Sequence, residues 1–260
     1  DSVRAAVEGA DVAVNCVGVL AGTGRQTFGA VHVAGARTAA KAAREAGVAR
    51  FIHVSAIGAD RQSAAQYARS KAEGEAAVLA EFPGAIILRP SIVFGPEDEF
   101  FNRFAALAQM SPLLPLIGGG RTKFQPVFVG DLAKAIANVA DGAGTDGSVY
   151  EIGGPEVLSF RQLLDRTQLW SGRKRGYLGL PFALAKLQAL LTWPLPSSTR
   201  PITVDQVRML EKDNVVGAQA KSEGRTLEGL GVSGAHATGA IVPAYLERFR
   251  PRGQFASYRG

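Results

Sequence analysis

The sequence predicts an α/β fold in which a parallel sheet is covered by helices on both faces and a smaller, mainly helical lobe follows. Three short apolar runs, DVAVNCV (11–17), RFIHVS (50–55) and AIILRP (85–90), lack the polar alternation of a half-exposed strand. Ala-rich stretches of helical length, 26–46 and 64–81, separate them in β-α-β-α-β order. From Phe160 onward the pattern is helical and the strands stop.

Taken in order, residues 1–10 read as a helix that leads into the first strand. Two shorter strands are expected at PVFV (126–129) and SVYEIGG (148–154), separated by a helix that Asp131 caps. The segment DGAGTDG (141–147) is a surface turn. Gly118, Gly119 and Gly120 are followed by a strand. A phosphate loop needs a helix N-terminus after its glycines, so these three read as a mobile turn. The domain expectation is 1–155 for the sheet domain, with 96–125 contributing to the second lobe, and 156–260 for the helical lobe.

With 47% hydrophobic and 20% charged residues in 260, the chain can bury a large core and is not a disordered sequence. The net charge of +6 admits an acidic partner, an anionic membrane surface or a phosphorylated ligand, as well as a merely solvated basic surface. Cys16 is the single cysteine, which excludes an intrachain disulfide and points to a reducing compartment. The opening residues read as a helix running into a strand, without the basic flank of a targeting peptide. The apolar stretch 178–195 is broken by Pro181, Lys186 and Pro194 and falls short of a spanning helix. Basic residues are scattered without interleaved aromatics, so nucleic acid is not an expected partner. His32, His53 and His236 show no metal-ligand spacing, and His53 reads as a core histidine.

The stretch QYARSKAEGE places Tyr67 four residues before Lys71, on one face of a helix, where phenol and ammonium reach a common ligand. The pair alone is compatible with proton transfer, with holding a cofactor, or with an accident of composition. No strand–G-x-G-x-x-G–helix fingerprint is present.

Together, FIHVSAIGAD, YARSKAEGE, ILRPSIVFGPEDEFFNRF, FQPVFVGDLAKAI and YEIGGPE resemble an extended or atypical short-chain dehydrogenase/reductase. With DNVV and PAYLERFRPRGQF near the C-terminus, the series resembles one branch of it, the alpha-subcomplex subunit nine family of respiratory complex I. That family is a nucleotide-binding accessory subunit of NADH:ubiquinone oxidoreductase. The resemblance implies a Rossmann-like sheet and NADP(H), or NAD(H), as cofactor. It also implies that the glycine-rich turn and the ribose-reading residue lie in a preceding segment of about 55 residues, two βαβ units sharing a strand.

In the short-chain reductases a tyrosine moves the proton, a lysine lowers its pKa and holds the ribose, and a hydroxyl polarises the substrate oxygen. By that resemblance Tyr67 and Lys71 match the first two roles. The hydroxyl is expected one residue beyond Ser55, where Ala56 stands, so no catalytic residue is expected and the dyad reads as a vestigial pair retained as a cofactor clamp. Ser91 is the nearest alternative hydroxyl, with loop capping as its plain role. The resemblance assigns Val17, Gly18, Ser55, Tyr67, Lys71, Pro90 and Ile92 to the cofactor site, although Gly18 also suits an ordinary tight turn.

The segment 172–196 carries Leu180, Leu184, Leu187 and Leu191 at helical spacing, with Arg173, Lys174 and Arg175 before it and Trp193 at its end. This suits a helix at a membrane interface or against a partner, or else a stripe covering the lobe's own core. The resemblance favours contact with complex I subunits near the membrane junction. It places the protein peripherally, on the cytoplasmic face of a bacterial inner membrane or the matrix side of the mitochondrial inner membrane. A soluble NAD(P)-dependent reductase or epimerase acting on a quinone-pathway or sugar intermediate is the rival reading, and it needs a hydroxyl at position 56 and no interfacial helix.

Overall fold

The computed structural model describes residues 2–192, 202–251 and 253. Along the chain the elements are α1 (Ser2–Val7), β1 (Val12–Asn15), a π-helical turn (Gly29–Gly35), α2 (Ala36–Glu45), β2 (Arg50–Val54), α3 (Gln66–Glu81) and β3 (Ile86–Pro90). There follow β4 (Val93–Phe94), α4 (Phe101–Met110), β5 (Leu113–Ile117), β6 (Lys123–Phe124), β7 (Val127–Phe128), α5 (Val129–Ala140) and β8 (Val149–Ile152). The remainder comprises β9 (Leu158–Ser159), α6 (Phe160–Trp170), β10 (Gly176–Leu180), α7 (Phe182–Leu191), α8 (Val204–Met209), α9 (Ala218–Ser222) and α10 (Thr238–Leu246), with short 3-10 turns between.

Two units form. The first contains 1–90, 132–153 and 216–233, and the second 91–131, 154–215 and 234–260. The sequence reading put everything after 156 in the second lobe, but 216–233 returns to the first unit. There Ile57, Val216 and Ala220 bury a small apolar cluster, a contact between segments far apart in the chain that local patterning does not signal.

The sheet of the first unit has the order β1-β2-β3-β8 and is parallel throughout. Asn15 stands opposite His53, and Pro90 opposite Ile152. Helix α2 presents Ala36, Ala40 and Ala43 at 3.6-residue spacing to Phe51, Val78 and Ile87, and these small side chains let helix and sheet approach closely. Helix α3 buries polar groups as well, Ser70, Lys71 and Glu75. Buried charges need partners, and Arg89 supplies one for Glu75.

Some sequence-level boundaries shift. The continuous helix expected over 26–46 opens instead as a π-helical turn before α2. The strand expected over 11–17 ends at Asn15, whose side-chain oxygen accepts the Val17 N–H at 3.1 Å and turns the chain into a loop. Of the two later strands only β8 joins the sheet; β7 pairs in parallel with β4 in the second unit.

In the second unit Phe94, Phe101, Phe124, Phe160, Leu163, Leu164, Val242 and Leu246 form an aromatic-rich core. Strands do not stop at Phe160: β10 pairs in parallel with β5. Its partner lies some sixty residues upstream, so no local pattern announces the pairing. Gly118, Gly119 and Gly120 all take positive φ in a turn before β6, and an added Cβ at Gly118 would lie 2.2 Å from the Phe182 ring. Asp131 lies in the first turn of α5 and accepts from the His236 backbone N–H at 2.7 Å and its ring Nδ1 at 2.9 Å.

Candidate functional site

The carboxyl ends of β1 and β2 and the first turns of α3 converge on Lys71. Residues Phe51, His53 and Ser55 alternate onto one face of β2, the face that Phe51 shows is covered by α2 and α3. Lys71 is buried on α3, and its Nζ donates to the Val54 carbonyl at 3.3 Å. Burial pushes the Lys71 pKa down, while the nearby Glu75 and Cys16 oppose the shift. Glu75, one turn further along, is itself buried and receives a bidentate pair from Arg89 on β3 at 2.8 and 2.6 Å.

The loop leaving β1 is held by side chains at both ends. Asn15 Oδ1 accepts from Val17 N–H, which leaves its Nδ2 facing His53 Nδ1 at 3.0 Å. At the other end the Val19 N–H donates to His32 Nε2 at 3.0 Å. Between them lies Gly18, where an added Cβ would come within 3.1 Å of Lys71 Nζ and 3.6 Å of His32 Nε2.

The assigned residues Val17, Gly18, Ser55, Tyr67 and Lys71 thus gather in the first unit. The Tyr67 ring centroid lies 5.9 Å from the Lys71 ammonium, and edge-to-face contacts to Phe28 and His32 fix the ring. Pro90 ends β3, and its carbonyl accepts from Ile57 N–H just beyond β2. Ile92 belongs to the second unit and packs against its aromatic core. Ser91 belongs there too, its hydroxyl 2.6 Å from Asn214 Oδ1 and accepting from Gln125 N–H. That hydroxyl is committed to the loop.

The electrostatics bear on the dyad. Burial pushes the Tyr67 phenol up to about 12, and the Lys71 charge does not bring it back. Burial, with the Lys71 charge, brings both His32 and His53 down to about 4. Sequence reasoning missed His32, Phe28 and the Glu75–Arg89 pair. Only the i, i+4 spacing of Lys71 and Glu75 hinted that α3 carries a charged inner face.

Two buried polar atoms have no hydrogen-bond partner among the described residues, Ser55 Oγ and His53 Nε2. With Nδ1 accepting from Asn15, His53 Nε2 carries the proton and is an orphan donor. Leaving such groups unpaired costs about 1–3 kcal/mol each, which argues for a polar occupant. Lys71 has two further N–H donors beyond the one given to Val54. Uncharged hydroxyl-bearing groups such as a ribose fit these donors and acceptors, and the missing Cβ at Gly18 permits close approach of the loop backbone. No group of three or more His, Cys, Asp or Glu with metal-holding geometry occurs among the described residues.

The chain resembles known proteins in both sequence and fold. Residues 1–91 match the family model described as NAD(P)H-binding, and residues 59–163 match one described as RmlD substrate binding domain. The fold is that of UDP-glucuronic acid 4-epimerase from Bacillus cereus, solved with UDP-glucuronic acid and NAD. The TM-score is 0.70 at 16% identity, over 96% of this chain and 78% of that one. The chain therefore has a Rossmann-like fold, and its first 91 residues match an NAD(P)H-binding family.

Among curated proteins it is 36% identical over 230 residues to the mitochondrial NADH dehydrogenase [ubiquinone] 1 alpha subcomplex subunit 9 of Arabidopsis thaliana, covering 85% of this chain and 57% of that protein. It is 28% identical to the mitochondrial NADH-ubiquinone oxidoreductase 40 kDa subunit of Neurospora crassa, over 96% of this chain and 64% of that one. The chain is thus similar in sequence to proteins named as alpha subcomplex subunit 9. It spans less than two thirds of the length of these relatives.

Proposed function

We propose that this chain is the larger part of an accessory subunit of respiratory complex I that holds a nicotinamide dinucleotide without turning it over. The observation that carries the reading is the state of the dyad. Burial pushes the Tyr67 phenol up to about 12, away from the neutral range a proton donor and acceptor needs, and the residue after Ser55 is Ala56, whose methyl group cannot polarise a carbonyl. Loss of one preorganised donor costs about 100- to 1000-fold in rate by analogy with oxyanion sites. When bound, the dinucleotide supplies a redox-active ring. The residues of this chain would then anchor the nicotinamide ribose through Lys71, line it with Gly18 and Ser55, and keep it from water with Tyr67. The dinucleotide is NADP(H) or NAD(H), its 2′ position being read by residues outside the described cluster.

The second unit suits attachment. Helix α7 turns Ala185 and Ala189 inward, with Ile117 and Val207, and leaves Leu184, Leu187, Leu190 and Leu191 exposed. Leu180 is half-buried against the same cluster and leaves the stripe, whereas Leu190 joins it. Trp193 lies outside the described residues. No helix among the described residues is long and apolar enough to cross a membrane. The exposed leucines behind Arg173, Lys174 and Arg175 suit a peripheral contact at the junction of the peripheral and membrane arms, on the matrix side of the mitochondrial inner membrane or the equivalent bacterial face.

The test is to isolate the full-length protein from its own membranes. Release of NADP(H) on denaturation, together with co-purification of complex I subunits in mild detergent, is the expected result. NADPH-dependent turnover of quinones, ketones or nucleotide sugars that is abolished by Tyr67→Phe would give the chain to the reductase reading instead.

A further inference from the structure

We propose that His32 is a positioning residue of the dinucleotide site, bridging helix α3 to the loop after β1 so that Gly18 is held against the Lys71 ammonium. The inference rests on the dinucleotide reading above and adds to it a residue outside the Tyr67–Lys71 motif.

Each contact of the ring is settled. Ser70 Oγ gives its proton to the Tyr67 carbonyl at 2.8 Å, so at 2.8 Å from His32 Nδ1 it can only accept. Nδ1 therefore carries the ring proton, and Nε2 is left with the lone pair that accepts from Val19 N–H. The ring stacks on Phe28 at 5.4 Å and meets Tyr67 edge-on at 5.4 Å, so its plane is fixed as well as its tautomer.

The backbone that carries His32 is also specialised. It is the centre of the π-helical turn Gly29–Gly35, a rare geometry that concentrates at functional sites. Helix α3 approaches this turn so closely that a Cβ on Gly74 would lie 2.1 Å from the His32 carbonyl oxygen. A histidine needed only to fill the core would require neither a wider turn nor a glycine opposite it. Here both serve to bring a ring nitrogen to the loop that passes Lys71.

Two substitutions separate the ring's two jobs. In His32→Asn the side-chain amide stands near the position of Nδ1 and keeps a partner for Ser70, while the Val19 N–H loses its acceptor. In His32→Gln the amide reaches the position of Nε2 and can still accept from Val19. In the full-length protein, we expect hydrogen exchange at the Val19 amide to accelerate in His32→Asn and not in His32→Gln. NADPH affinity, read from its fluorescence on titration, should fall about fivefold or more in His32→Asn and recover in His32→Gln, the scale of one lost hydrogen bond. Thermal melts of both variants identify a general loss of folding. Equal Val19 exchange or equal NADPH affinity in the two variants, with wild type binding NADPH, overturns the role of His32 alone. A wild type that binds no dinucleotide overturns the functional reading, and the role of His32 with it.

Discussion

The carbonyl oxygen of His32 stands 2.1 Å from where a Cβ on Gly74 would lie, so the π-helical turn and helix α3 are in backbone contact at that point. A glycine inside a helix ordinarily costs about 1 kcal/mol relative to alanine, and here close packing requires it. Gly74→Ala should therefore destabilise the protein by about 1–3 kcal/mol despite the gain in helix propensity, because one backbone has to move away from the other. A lowered melting temperature checks this, and an unchanged or raised one would show that the contact yields easily.

Glu75 and Arg89 form a second fixed point, a two-pronged ion pair of which Glu75 is buried and Arg89 about one quarter exposed. Removing Glu75 leaves Arg89 only the longer contact to Glu151 at 3.9 Å. Glu75→Ala should cost about 1.5–3 kcal/mol of stability, the scale of a hydrogen bond to a charged group. Urea unfolding measures it, and a loss below about 1 kcal/mol would mean that water reaches Arg89 freely.

The pH dependence of stability follows from the two buried histidines. Their ring pKa values fall from 6.5 when unfolded to about 4 when folded, so between these values the unfolded chain binds protons that the native chain does not. The stability they contribute is complete above pH 6.5, declines as pH falls through that value, and is gone below about 4. One ring accounts for about 3 kcal/mol at most, and the two are not additive because His32 contributes to the shift of His53. Chemical denaturation from pH 7.5 to 4 should show this decline, and it should shrink in His53→Gln.

At the dyad the two side chains should part company. Lys71→Ala in the full-length protein should weaken dinucleotide retention by removing a charged donor worth roughly 1.5–3 kcal/mol, whereas Tyr67→Phe should leave retention nearly intact. Measuring NADP(H) released per mole of purified protein distinguishes them. Equal losses would show the phenol hydroxyl to be a binding group in its own right.

On helix α7, replacing Leu184 and Leu187 by Glu should move the protein from the membrane fraction to the soluble one with the melting temperature nearly unchanged. Both side chains are about half exposed, and the inward face of the helix is alanine. Unfolding of the variant would instead place these leucines in an interior contact.

The sequence by itself determined the alternation of apolar strands and Ala-rich helices, because fully covered parallel strands must be apolar on both faces and helices must show a 3.6-residue stripe. It also determined that Tyr67 and Lys71 share a helix face, and that 172–196 carries more leucine than a short helix needs for its own core. Such properties repeat within a few residues. The tertiary structure alone decided that β10 is a strand, since its partner β5 lies far upstream, and that 216–233 belongs with the sheet rather than with the segments around it. It decided the role of His32 as well. A lone histidine 38 residues from Ser70 and 13 from Val19 carries no local signal, and only the packing of a π-helical turn on Gly74 brings the two ring nitrogens to their partners. Periodicity reports which face of an element is buried, whereas the hydrogen-bond partner of a buried polar group is chosen by whichever element closes over it.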